Sequence, residues 1–183
     1  MEMKQLSMAG CYLLSPRIFK DKRGCFVKTY HKKTFGEAGI NFDFDEEFYS
    51  VSDKGVIRGM HFQLPPFDHM KIVYCPRGSV FDAFVDLRRG SPTYLQADDI
   101  ELSSKRGDVL VLAKGVAHGF CSLEDGTIMV YKTTSQYEST SDSGVMWDSC
   151  GIKWPSVADP TTLSDRDKSF SRLSDFDSPF FMK

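Results

Sequence analysis

Two of the four histidines stand in glycine-bounded segments, His61 in Arg58-Gly-Met-His-Phe-Gln63 and His118 in Gly115-Val-Ala-His-Gly-Phe120. An imidazole titrates closer to neutrality than any other unperturbed side chain, so a histidine fixed by tight backbone is a candidate acid or base. Lys71 offers a compact cation, Tyr131 a phenolic proton and Asp167 a carboxylate. Each has a plainer reading. A lone histidine in an apolar stretch serves as a structural polar residue, and His118 fits a hydrogen bond inside a tight turn. Asp167, three residues after Ser164, suits the acidic member of a helix cap. Tyr131 alternates with apolar neighbours and fits a core ring with its hydroxyl at the rim. Lys71 and Arg58 fit solvated surface charges.

The elements that must carry these residues are short alternating apolar segments separated by Gly, Pro and charged turns, the pattern of an all-β antiparallel sandwich or barrel. Phe81, Ala83, Val85 and Leu87 fall on one face of a strand, and Val109, Val111 and Ala113 repeat the period. Residues 128–131 predict a strand in which Met129 and Tyr131 share a face opposite Ile128 and Val130. Residues 24–30, 70–75 and 101–103 predict three more. Residues 31–38 read as a short helix, and Ser164 with Asp167 predicts another running to about Leu173. The final residues 175–183 carry an apolar cluster that a disordered tail would not need, so they are expected to dock on a neighbour or on the body.

The chain has 183 residues, with 23 Lys+Arg against 25 Asp+Glu and a net charge of -2. That length predicts one domain, 1–183, and that balance argues against a general nucleic-acid binder while leaving a local basic pocket open. No apolar run approaches the roughly 18 residues of a membrane span, and no apolar leader follows Met1, so a soluble cytoplasmic protein is expected. Cys11, Cys25, Cys75, Cys121 and Cys150 are odd in number and form no C-x-x-C pair, which predicts free thiols rather than a disulfide frame or zinc site.

Spacing adds a first resemblance. Five residues separate Gly55 from His61, Gln63 follows after one more, six lie between Lys71 and Gly78, and Gly107 leads through Ala113 and Gly115 to His118. The series resembles the two motifs of a cupin, a double-stranded β-helix or jelly-roll barrel, with a longer gap between Gln63 and Lys71. Metal-binding cupins normally hold His and Glu where this chain has Gln63 and Lys71. A lysine ammonium has no lone pair for a divalent cation, so no metal is expected.

Longer segments carry a closer resemblance. Gly55-Val-Ile-Arg-Gly-Met-His-Phe-Gln63, the run from Val80 to Pro92, Gly115 to Phe120, Tyr131-Lys-Thr-Thr134, Gly151-Ile-Lys-Trp-Pro155 and Leu163-Ser-Asp-Arg-Asp167 resemble, in order, the dTDP-4-dehydrorhamnose 3,5-epimerase family. The resemblance implies a cofactor-free, typically dimeric enzyme that inverts carbons beside the C4 ketone of a nucleotide-linked 4-keto-6-deoxyhexose, in surface-polysaccharide or related deoxysugar synthesis. By the same resemblance His61 is the base and Asp167 its dyad partner. Lys71 stabilises charge at the sugar O4, and Tyr131 is the acid on the other face. Arg23, Arg58, Gln63, His118 and Lys28 are expected to line the substrate. Lys28 replaces a family glutamate, and Glu46-Glu47-Phe48 replaces a Gln-x-Asn, both at the nucleotide end. Lysine can donate to cytosine's ring nitrogen but cannot accept from thymine's ring N–H, so CDP stands beside dTDP as a candidate nucleotide. A single-site 3- or 5-epimerase on a CDP- or GDP-linked ketosugar, a 3,4-ketoisomerase and a non-catalytic sugar-nucleotide-binding cupin are the rival readings.

Overall fold

The computed structural model describes residues 1–182. In chain order the strands are β1 (Glu2–Gln5), β2 (Tyr12–Ser15), β3 (Ile18–Asp21), β4 (Gly24–Val27), β5 (Glu46–Ser52), β6 (Ile57–Gln63), β7 (Lys71–Arg77), β8 (Ser79–Asp86), β9 (Ala97–Ser103), β10 (Val109–Leu112), β11 (Val116–Ser122), β12 (Thr127–Thr133) and β13 (Asp142–Gly144). Two short helices, α1 (Lys32–Glu37) and α2 (Asp165–Lys168), accompany them. One sheet runs β1-β2-β10-β7-β12-β5 and the other β13-β6-β11-β8-β9, with β3 and β4 forming a separate hairpin. Their pairings are antiparallel, and the architecture is the jelly roll that the cupin resemblance implies.

The period of two explains how the sheets stack. Val73 and Cys75 of β7, Leu110 and Leu112 of β10, and Met129 and Tyr131 of β12 meet Val80 and Phe84 of β8 and Val116 and Phe120 of β11 in the core between the sheets. The outer faces are covered as well. Phe81, Ala83, Val85 and Leu87 do share a face, packed against Trp154, Leu173, Phe176 and Phe180 of the C-terminal third rather than between the sheets. Val109 and Val111 likewise turn outward onto Phe35 of α1, Ile40 and Phe42. Burial on both faces is why β8 and β10 read as nearly continuous apolar runs.

Several expected boundaries shift. The segment 24–30 pairs only through Val27, 70–75 extends to Arg77, and 101–103 is the end of a strand that begins at Ala97. The helix expected from 164 to 173 stops at Lys168. Ser164 does cap it, accepting from the Asp167 N–H at 3.1 Å, but the chain then turns so that Leu173 can enter the outer core. Of the tail, Phe180 is buried edge-on to Phe62 in the body of the same chain. Burial of such a ring stabilises by about 1.5–3 kcal/mol. Phe181 and Met182 beside it remain exposed. Lys183, its last residue, lies outside the described residues. The five cysteines are free thiols, and no helix of the described residues is long and apolar enough to cross a membrane.

Candidate functional site

A cavity of about 430 Å³ opens at one end of the space between the sheets. The five-stranded sheet contributes Arg58, His61 and Gln63 from β6, His118 and Phe120 from β11 and Asp142 from β13. The six-stranded sheet contributes Lys71 from β7, Tyr131 and Thr133 from β12, and Glu46, Phe48 and Ser50 from β5. Alternation puts Lys71, Val73 and Cys75 on one face of β7, so the lysine is where the apolar row of the core gives way to the cavity. Tyr131 stands in the same relation to Met129 on β12.

The close pairing of β6 and β11 is what sets the two histidines across from each other. Gly59 has φ +138°, and a Cβ there would lie 2.4 Å from the Gly119 Cα, so neither position has room for a side chain. The register shifts beside this contact, and His61 and His118 are left as direct partners. These glycines are the ones that bound the histidine segments in the sequence.

His61 Nε2 lies 2.9 Å from Asp167 Oδ1, while Asp167 Oδ2 accepts from the Gly59 N–H at 3.2 Å. Asp167 meets Ser164 through its backbone N–H, while its carboxylate is taken up by the imidazole and the Gly59 N–H rather than by the helix cap. Burial pushes the His61 pKa down, against the opposing pull of Asp167, which favours the neutral ring. Burial works to raise the Asp167 carboxyl, but its bonds to His61 and Gly59 outweigh this and hold it below the ordinary carboxylate range. With Nε2–H donated to Asp167, the lone pair sits on Nδ1.

Across the cavity, Lys71 is pulled down to about 8 by burial, with Asp82 and Asp142 working to keep it charged. Burial raises the Tyr131 phenol, so its proton stays on at neutral pH. The phenol oxygen is 3.2 Å from Ser50 Oγ, and its ring stacks on Phe48 at 4.8 Å. His118 is held by both oxygens of the fully buried Asp82, at 3.0 and 2.9 Å.

The structure thus brings together His61, Asp167, Lys71, Tyr131, His118 and Arg58, the last donating to Ser52 Oγ at 3.0 Å. Gln63 also lines the cavity, with its amide engaged by backbone. Nε2 donates to the Phe67 and Gln136 carbonyls, and Oε1 accepts from the Glu138 N–H, so it ties two loops together rather than presenting free polar atoms. Arg23 and Lys28 lie on and just after the exposed β3–β4 hairpin, where Arg23 pairs with Asp21, and neither lines the cavity within this chain. Glu46 and Phe48, by contrast, do reach it.

Sequence reasoning singled out neither Asp82, Asp142 nor Arg166. Asp82 alternates with the inward Val80 and Phe84, and a carboxylate on an inward row is a signal available in the sequence. Arg166 and Asp142 meet across 24 residues, with Arg166 Nη1 donating to Asp142 Oδ2 at 2.5 Å, and no local pattern announces that pair.

Comparison with known proteins places this arrangement. The profile of the dTDP-4-dehydrorhamnose 3,5-epimerase family matches residues 5–175. A dTDP-4-dehydrorhamnose 3,5-epimerase of Shigella flexneri is 39% identical over 168 residues, covering 90% of this chain and 92% of its own. The crystal structure of the Bacillus anthracis enzyme of that name, with TDP and PPi bound, superposes with a TM-score of 0.89 at 38% identity, covering 94% of this chain and 99% of that one. The Legionella pneumophila epimerase in complex with dTDP-4-keto-L-rhamnose gives 0.92 at 30% identity, covering 100% and 99%.

Proposed function

The chain belongs to the dTDP-4-dehydrorhamnose 3,5-epimerase family, and from that premise we propose that its cavity inverts C3 and C5 of a dTDP-linked 4-keto-6-deoxyhexose by proton abstraction and return. It is an enzyme of the isomerase class. The observation that carries the proposed chemistry is the placement of a neutral histidine on one sheet and a protonated tyrosine on the other, facing across one cavity. Inversion beside a ketone needs a base on one face of the ring, an acid on the other and a cation at the enolate oxygen. His61 Nδ1 takes the proton, while Asp167 fixes the ring and stabilises the imidazolium. Lys71 faces the developing O4 charge, and Tyr131 returns a proton from the opposite side. Arg58 and His118 flank the sugar. Incubating the protein with the dTDP-linked ketosugar epimeric to dTDP-4-dehydrorhamnose at both carbons, followed by NMR of the product, tests the reading. Recovery of unchanged sugar would contradict it.

Lys71 gives this proposal a pH signature. Its cation is present below about pH 8 and lost above it, so kcat/KM should fall as pH rises through that value. Lys71→Arg should remove the alkaline limb, because a guanidinium stays charged, while lowering the plateau. A wild-type profile that stays flat to pH 10 would contradict the role.

The assembly we propose is a homodimer. Phe19 and Phe26 expose their rings on the β3–β4 hairpin, and Phe48, Tyr49 and Val51 do so on the edge strand β5, which leaves apolar surface on a hairpin and a sheet edge. Arg23 and Lys28 sit on or beside that hairpin, and pairing of two chains is the way they would come to a nucleotide. Light scattering at micromolar concentration should give twice 20.7 kDa, and a monomeric mass would overturn the assignment. Free thiols, four of the five buried, fit a reducing compartment, and we place the enzyme in the cytoplasm.

A further inference from the structure

The contacts drawn to His61 cannot all be made at once. Nε2 lies 2.9 Å from Asp167 Oδ1 and 2.7 Å from Arg166 Nη2, yet a ring nitrogen presents either a hydrogen or a lone pair. If Nε2–H donates to Asp167, the Arg166 N–H finds no acceptor there. If Arg166 donates into Nε2, the ring proton must sit on Nδ1, and the nitrogen turned away from Asp167 loses its lone pair. Arg166 is also held from elsewhere: Nε reaches the same Asp167 oxygen at 3.2 Å, Nη1 donates to Asp142, and the guanidinium lies 5.7 Å from the Phe170 ring centre. Asp142 is on β13, the strand that pairs with β6, so the tether and the histidine share one rigid sheet.

We propose that Arg166 is a positioning residue that selects the tautomer of His61, with Asp142 as its counter-tether. In the structure the guanidinium makes both contacts, Nη1 to Asp142 and Nη2 to Nε2, so the two settings differ by a small shift: moved further toward Asp142, it leaves Nε2–H on Asp167 and Nδ1 free to take a proton. A guanidinium seated on Nε2 disables the base. The inference rests on His61 being the base of the proposed epimerase. The charged and titratable groups facing His61 are Asp167 and Arg166 from α2, Asp142 from β13, Lys71 from β7 and His118 from β11. Among the described residues, Arg166 and Asp167 are the ones within hydrogen-bond distance of its Nε2.

Nitrogen NMR of 15N-histidine-labelled protein, without substrate at neutral pH, reads the tautomer directly. Arg166→Gln should move His61 toward the Nε2–H form, and Asp142→Asn should move it toward Nδ1–H. The Arg166 side chain is 46% exposed, so the glutamine leaves no buried void. In kinetics, Asp142→Asn should lower kcat/KM about tenfold, and the double variant should behave as Arg166→Gln alone, because without the guanidinium there is nothing left to tether. Arg166→Gln should also move the acid limb of the profile upward, as a cation beside the imidazole is removed. A His61 tautomer indifferent to both substitutions, or losses that simply add, would overturn the proposal. The tautomer measurement needs no turnover, so a failed epimerase assignment leaves it readable and the two failures are distinct.

Discussion

His61→Asn is expected to depress both inversion and solvent exchange by about 10²- to 10⁴-fold, the usual worth of a positioned general base, while the fold survives. Asparagine is smaller than the imidazole but keeps an amide N–H that can still donate to Asp167, the ring's hydrogen-bonding carboxylate among the described residues, so the loss reports on proton transfer rather than on a collapsed site. Asp167→Asn acts through the same ring and should be strongly non-additive with it: once the imidazole is gone, there is no tautomer to fix. Exchange and inversion measured by NMR in deuterated solvent check both statements. Near-normal exchange in His61→Asn would remove it as the base, and additive losses would separate it from Asp167.

Tyr131→Phe should divide the two steps that His61→Asn abolishes together. The variant loses one oxygen, bonded among the described residues to Ser50 Oγ, and keeps the ring that stacks on Phe48, so packing is nearly conserved. Abstraction from one face by His61 continues, and the proton returns to the face it left. Solvent isotope should therefore enter the substrate within severalfold of the wild-type rate, while inverted product falls about 10²-fold. Equal loss of exchange and inversion would mean that the phenol serves the first step or only packs.

Much of the site is legible in the sequence because it is built from short motifs whose backbone demands are local. Gly59 and Gly119 mark the contact that sets His61 and His118 across from each other, and the alternation on β7 and β12 turns Lys71 and Tyr131 inward. The same alternation is ambiguous about depth. It placed Phe81, Ala83 and Val85 on one face without saying that this face is covered by the C-terminal third, since strand periodicity is identical for an inner and an outer core. Ser164 marked a true helix start, but the stop depends on Leu173 finding its place in the outer core, which no cap signal encodes. Gln63 was expected at the substrate for its type and position. Its amide is claimed by backbone from residues 67, 136 and 138, partners that only the closed loops bring near. The pairs Asp82 with His118, on the neighbouring strands β8 and β11, and Arg166 with Asp142 likewise join partners distant in sequence.

The central claim is that carbons on both sides of the ketone exchange a proton with groups on opposite sheets, and one measurement addresses it most directly. Wild-type protein is incubated in deuterated water with the dTDP-linked 4-ketosugar, and the hydrogens of the ring are followed by NMR. The account requires deuterium at C3 and at C5 of the inverted product and none at C2, because only the carbons flanking the C4 ketone are acidified. Inverted product without solvent deuterium, or a bound sugar that neither exchanges nor inverts, would contradict it.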